Sequence, residues 1–122
     1  MRKIYNNQVE VVLDVMGGKW KSHIILNLGS GPVRTGELKR LVTGITQKML
    51  IEKLKELEQD GLVSRIVHNQ VPPKVEYSLT NLGASLHEVL KGVCDWGDLY
   101  VKQRYSDDEV TIRANKHDTH QK

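Results

Sequence analysis

The stretch TQKMLIEKLKELEQD, residues 46–60, has the apolar spacing of a helix and charges that run against it. Met49, Leu50, Leu54 and Leu57 fall on one helical face. A helix carries about half a positive charge at its N-terminus and about half a negative one at its C-terminus, so stability favours acids first and bases last. Here Lys48 stands in the first turn, no acid precedes Glu52, and Glu56, Glu58 and Asp60 crowd the end. Each misplaced charge costs roughly 0.3–1 kcal/mol. A start made of Thr46, Gln47 and Lys48 suits a polyanion whose edges are read by hydrogen bonds. The segment reads as a recognition helix for double-stranded DNA.

The flanks support that reading. Upstream, Thr35 is placed to cap a short helix, with Glu37 favourable in its first turn and Lys39 and Arg40 towards its end. Thr43-Gly44 breaks this helix, Ile45 and Leu50 are spaced as a hydrophobic staple, and Gly61 signals the end of the next helix. Two helices joined by a three-residue turn, the second about 22 Å long, make a helix-turn-helix. Downstream, residues 62–68 and 74–79 read as strands, the second alternating Val75, Tyr77 and Leu79 with Lys74, Glu76 and Ser78. Between them Pro72-Pro73 favours an extended, stiff loop. The expected fold is mainly α with a small β-hairpin wing, an α+β winged helix-turn-helix.

The outer segments point to self-association. Val9, Val12, Leu13 and Met16 form one apolar stripe of a first helix, and Val11 and Val15 add a second. Gly17-Gly18 ends it, a helix runs from Trp20 to about Leu28, and GSGP at 29–32 turns the chain. Thr80 caps a long last helix in which Leu82, Leu86, Val89, Val93, Trp96 and Tyr100 make a heptad-like seam. Gly83, Gly92 and Gly97 each weaken it by roughly 1 kcal/mol against Ala, so it needs packing partners. The expectation is a homodimer built from the first and last helices, with Val11, Val15, Leu86, Val89, Val93, Trp96 and Tyr100 at the interface.

Composition sets the outer bounds. The 122 residues are 39% hydrophobic and 27% charged, ordinary for a globular domain, and the absence of Phe demands an aliphatic core. Net charge is +3, and the basic excess lies in residues 1–79, where 12 Lys/Arg face 8 Asp/Glu. Cys94 is the one cysteine, so no intrachain disulfide forms, and it reads as a buried small hydrophobe. No signal peptide or membrane span is evident, and a cytoplasmic protein is expected. No Gly-rich phosphate loop, HExxH, CxxC or nucleophile elbow is present, so no enzyme and no cofactor are expected. His117, Asp118 and His120 resemble metal ligands, but lie in a tail without preorganisation, and no metal site is assigned.

Individual residues carry competing readings. Gln47 and Lys48 either reach base edges or are ordinary solvated side chains, and the surrounding architecture favours the bases. Thr46 reads first as a cap. Lys53 contacts the DNA backbone or pairs with acids on its own helix, while Lys55 reads more readily as a partner for Glu58 or Gln59. Arg34 stands where helix-turn-helix proteins cross the phosphates. On the wing, His68, Asn69, Gln70 and Lys74 suit a minor groove or phosphates, with Gln70 and Lys74 the assigned contacts. Trp20 and Trp96 read as core or interface anchors. The rival function is a winged-helix module for protein–protein contact, with only weak, sequence-indifferent DNA binding.

The segments VEVVLDVMGGKW (9–20), GELKRLVTGITQKMLIEKLKELEQDGLVSR (36–65), VPPKVEYSLTNLG (71–83) and CDWG (94–97), in that order, resemble the HxlR-type family of bacterial regulators, relatives of the MarR winged-helix proteins. The resemblance spans roughly residues 7–105 as one domain and leaves 106–122 as a polar, flexible tail. It implies a homodimeric, sequence-specific DNA-binding regulator, expected to be a repressor on an inverted-repeat operator. Family members that sense oxidants carry a cysteine in a CPVE-like segment before the first helix. Here the segment reads NQVE with Asn7 at that position, so thiol sensing by that route is absent. A pocket between dimer helices and DNA-binding domain is common in this architecture, and an unknown small-molecule effector is allowed without any residue naming it.

Overall fold

Local chemistry fixes where each helix starts and stops. The computed structural model describes residues 2–113. In order these form α1 (Gln8–Met16), α2 (Lys21–Asn27), β1 (Val33–Arg34), α3 (Thr35–Leu41), α4 (Gln47–Gln59), β2 (Val63–His68), β3 (Lys74–Leu79) and α5 (Asn81–Arg104). Asn7 caps α1, its Oδ1 accepting from the Glu10 N–H at 3.0 Å. Thr46 caps α4, its Oγ1 accepting from the Met49 N–H at 3.1 Å. Such a cap is worth about 1 kcal/mol. At the far end of α4, Gly61 adopts φ +77°, a conformation that favours glycine. The N–H groups of Gly61 and Leu62 then donate to the carbonyls of Glu58 and Leu57, each at 3.0 Å. This paired return is a Schellman stop.

The core is aliphatic, as the lack of Phe requires. Ile24, Ile25 and Leu28 from the α2 region, Leu38 and Val42 around α3, and Leu50, Leu54 and Leu57 of α4 are fully buried. Tyr77 of β3 and Leu90 of α5 close the cluster. Ile45 and Leu50, the expected staple, both lie in it. The strands form an antiparallel sheet in the order β1-β3-β2. The hairpin register runs from Val63 opposite Leu79 to His68 opposite Lys74. The architecture is the expected winged helix-turn-helix.

Four local expectations need correction. Strand β1 was not foreseen: Val33 pairs with Tyr77 and Arg34 with Glu76, adding a third strand. Two residues are too short for a periodic signal, and only the partner strand defines them. Because β1 holds Arg34 extended, Arg34 rather than Thr35 is the N-cap position of α3, without a side-chain cap, and Thr35 is already helical. The turn of the helix-turn-helix is also longer than expected, running over residues 42–46, with Val42 and Ile45 buried inside it. Third, Gly83 does more than weaken α5. A Cβ there would lie 2.0 Å from the Leu62 carbonyl oxygen, so only glycine lets the first turn of α5 seat on the end of α4. Thr80 locks the same joint, its hydroxyl donating to the Gly61 carbonyl at 2.6 Å while accepting from the Gly83 N–H at 3.0 Å. Fourth, Cys94 is exposed, not buried, because the buried positions of α5 are Gly83 and Leu90 and the helix then runs past the core.

After α5 the chain makes a turn in which the Ser106 N–H donates to Glu109 Oε1 at 2.6 Å. His117, Asp118 and His120 lie outside the described residues.

Candidate nucleic-acid interface

Helix α4 presents its front as the charge pattern requires. Thr46, Gln47 and Lys48 are all exposed. There is no acid in the first turn and no base in the last. Thr46 commits its hydroxyl oxygen to the Met49 N–H, so its first role is the cap. Burial of Leu50, Leu54 and Leu57 turns the opposite arc of the helix outward, and Gln47, Lys48, Ile51, Glu52 and Lys55 are exposed along it. Ile51 has no counterpart in the sequence reading. It is 40% exposed, the one exposed large hydrophobic side chain of α4.

One of the acids at the back of α4, Glu56, has a structural explanation that spacing could not supply. Lys21 of α2 is nearly enclosed, its side chain 9% exposed, and its Nζ lies 2.9 Å from Glu56 Oε1. Lys53 Nζ approaches the same oxygen at 3.5 Å. The hydrogen bond from Lys21, foremost, and the charges of Lys21 and Lys53 hold the Glu56 carboxyl below its ordinary range. One misplaced acid is thus the counter-ion of a buried cation, and Lys53, assigned from sequence to DNA or to its own helix, is engaged by Glu56.

At the wing, β1 brings together residues that sequence reading kept apart. Arg34 faces Glu76 across the β1–β3 ladder, and His68 faces Lys74 across β2–β3. His68 Nε2 lies 2.8 Å from Glu76 Oε1, and Lys74 Nζ lies 3.7 Å from Glu76 Oε2. Glu76 is held below the usual carboxylate range, first by the His68 hydrogen bond and then by the charges of Lys74, His68 and Arg34. Arg34 and Lys74 therefore belong to one basic cluster around a single carboxylate. Gln70 is exposed in the loop beyond it, its backbone N–H donating to the His68 carbonyl at 3.0 Å. Arg40, by contrast, is gripped by Glu37 on its own helix.

A second surface is apolar. Val89, Val93, Trp96 and Tyr100 are exposed along α5, Trp96 by 63%, and the rings of Trp96 and Tyr100 stack at 5.4 Å. Helix α1 has no buried residue and exposes Val9, Val11, Val12 and Leu13. Val15 and Leu86, also expected at an interface, are half-buried against the chain's own core, as is Trp20.

These features define a winged helix-turn-helix protein with a polar, cation-tipped second helix. Residues 15–105 match the model of the HxlR-like helix-turn-helix family, and the chain belongs to that family. It is 55% identical over 103 residues to the HTH-type transcriptional regulator YkvN of Bacillus subtilis strain 168, covering 84% of this chain and 87% of YkvN. The crystal structure of the HTH-type regulator YtcD superposes with a TM-score of 0.74 at 52% identity, covering 79% of this chain and 98% of that one. The reduced form of the redox regulator HypR superposes with a TM-score of 0.75 at 44% identity, covering 81% and 100%. The chain is accordingly a DNA-binding transcriptional regulator and not an enzyme. Among the described residues no helix is long and apolar enough to cross a membrane. Asn7, the residue at the start of the NQVE segment, serves as the cap of α1.

Proposed function

We propose that the protein is a cytoplasmic homodimeric repressor that binds an inverted-repeat operator. Residues 7–105 form the working unit and 106–122 are an appendage to it. The observation that carries the proposal is the exposed, acid-free start of α4, and the basic Arg34–Lys74 cluster around Glu76 on the wing adds to it. Gln47 and Lys48 read base edges in the major groove, where a good bidentate contact is worth about 1–3 kcal/mol of discrimination. Thr46 positions them and touches phosphate, and Arg34 and Lys53 contact the DNA backbone. Lys74 and Gln70 bring the wing to the flanking groove or its phosphates.

The dimer forms through α1 and α5, with Val11, Val15, Leu86, Val89, Val93, Trp96 and Tyr100 in or beside the interface. The exposed apolar side chains on both helices support this. A two-fold axis then sets the recognition helices about 34–36 Å apart, roughly 10 base pairs. A small-molecule effector, where one acts, enters between these helices and the DNA-binding part.

A salt titration with a bound duplex and its scrambled counterpart tests the reading. The parent is expected to prefer the first and to lose affinity with a log–log slope of about −0.9 per phosphate contact. Lys48→Ala is expected to lower affinity and flatten the slope, and Gln47→Ala to erode the preference. Parent-like binding by both variants at ~0.15 M salt would remove α4 from the interface.

A further inference from the structure

Ile51 is an oddity on α4. It lies four residues after Gln47, three after Lys48 and four before Lys55, so it shares their exposed arc. Stability does not call for it there. A β-branched residue is a poorer helix former than Leu, Lys or Glu, and at 40% exposure much of its apolar surface is left in water. The core of α4 is already filled by Leu50, Leu54 and Leu57, each fully buried. Its neighbours one helical turn away on that arc are a donor-bearing amide and two cations, and the one exposed acid on the arc, Glu52, lies at the adjacent position rather than a turn away. On duplex DNA the apolar feature that the major groove offers is the C5-methyl of thymine, and apolar side chains recognise it by contact.

We infer that Ile51 is a specificity-determining residue that packs on a thymine methyl next to the bases read by Gln47 and Lys48, and so selects an A·T pair in each half-site. Lys48 and Lys55 on either side supply the charge complementarity that brings this arc to the phosphates. The stiffness of the Ile side chain adds to selectivity, since few rotamers are lost on docking. The inference rests on α4 being the recognition helix.

The test uses the full chain and a duplex enriched from a random DNA pool. Each thymine is replaced singly, and then symmetrically in both half-sites, by deoxyuracil, which removes only the methyl group. The parent is expected to lose about fourfold in affinity at one thymine per half-site, the worth of one buried methyl, and roughly fifteenfold when both are replaced. Ile51→Ala is expected to bind thymine and uracil duplexes alike, while Ile51→Val keeps most of the penalty. Indifference of the parent to uracil at every position overturns the role of Ile51, as does an Ile51→Ala variant that keeps the full penalty. The reading beneath it fails differently. If Lys48→Ala still weakens a preferred duplex, α4 remains the reading element and only Ile51 is wrong. If no duplex is enriched, both fall.

Discussion

Glu56 and Lys21 show how unequal the two halves of an ion pair can be. Lys21 is nearly enclosed and Glu56 is 45% exposed, so removing one is not equivalent to removing the other. Losing Glu56 leaves an ammonium in a dry site, whereas losing Lys21 leaves a carboxylate that water can solvate. Glu56→Gln is therefore expected to lower the melting temperature more than Lys21→Met, which keeps the stem packing. Equal losses, or the reverse order, would show that the buried charge is satisfied elsewhere. The pair also sets a pH dependence. The Glu56 carboxyl is depressed in the folded state, so its contribution is complete above the ordinary carboxylate value of 4.5 and fades as pH falls through the lower folded value. Urea unfolding between pH 6 and pH 3 is expected to show a shallower acid loss for Glu56→Gln than for the parent. None of this was legible in the sequence, where Lys21 carries no periodic signal and lies far from Glu56. The cap Thr46, the stop Gly61 and the exposed Gln47 and Lys48 were legible, because each depends on neighbours within one or two helical turns.

Among the elements, the joint between α4 and α5 matters most for the candidate site. Thr80 and Gly83 seat the start of α5 on the Gly61–Leu62 stop of α4, so the proposed reading helix and the proposed dimer helix meet backbone to backbone. In an ordinary helix Gly→Ala stabilises by roughly 1 kcal/mol. At Gly83 the sign is expected to reverse, with Gly83→Ala destabilising by about 1–3 kcal/mol through overpacking against the Leu62 carbonyl. Gly92→Ala, where an added Cβ meets nothing within 4 Å, is the control and is expected to be neutral or stabilising in the same denaturant titration. A Gly83→Ala variant as stable as the parent would mean that the joint gives way freely. Sequence spacing found all five helices and both wing strands because each carries several turns or alternations of pattern. It missed β1 and the closeness at Gly83, since both are defined by a partner many residues away.

For the whole molecule, the exposed apolar seam of α5 is a feature that a single chain leaves unexplained. Heptad-like spacing made the seam visible in the sequence, and Trp96 and Tyr100 stand exposed on it. A charge there is expected to spare the fold and break the pair. Trp96→Glu should sediment as a monomer with parent-like circular dichroism, and should lose most of its operator affinity because two half-sites are no longer read together. A dimeric Trp96→Glu protein would move the interface elsewhere. In the proposed assembly both ends of the molecule act together: two electropositive helix fronts, held by a two-fold axis, read one duplex. Selection of bound sequences from a random duplex pool tests that most directly. The expected result is an inverted repeat with half-sites about 10 base pairs apart, centre to centre. Enrichment of an asymmetric single site, or of nothing, would contradict it.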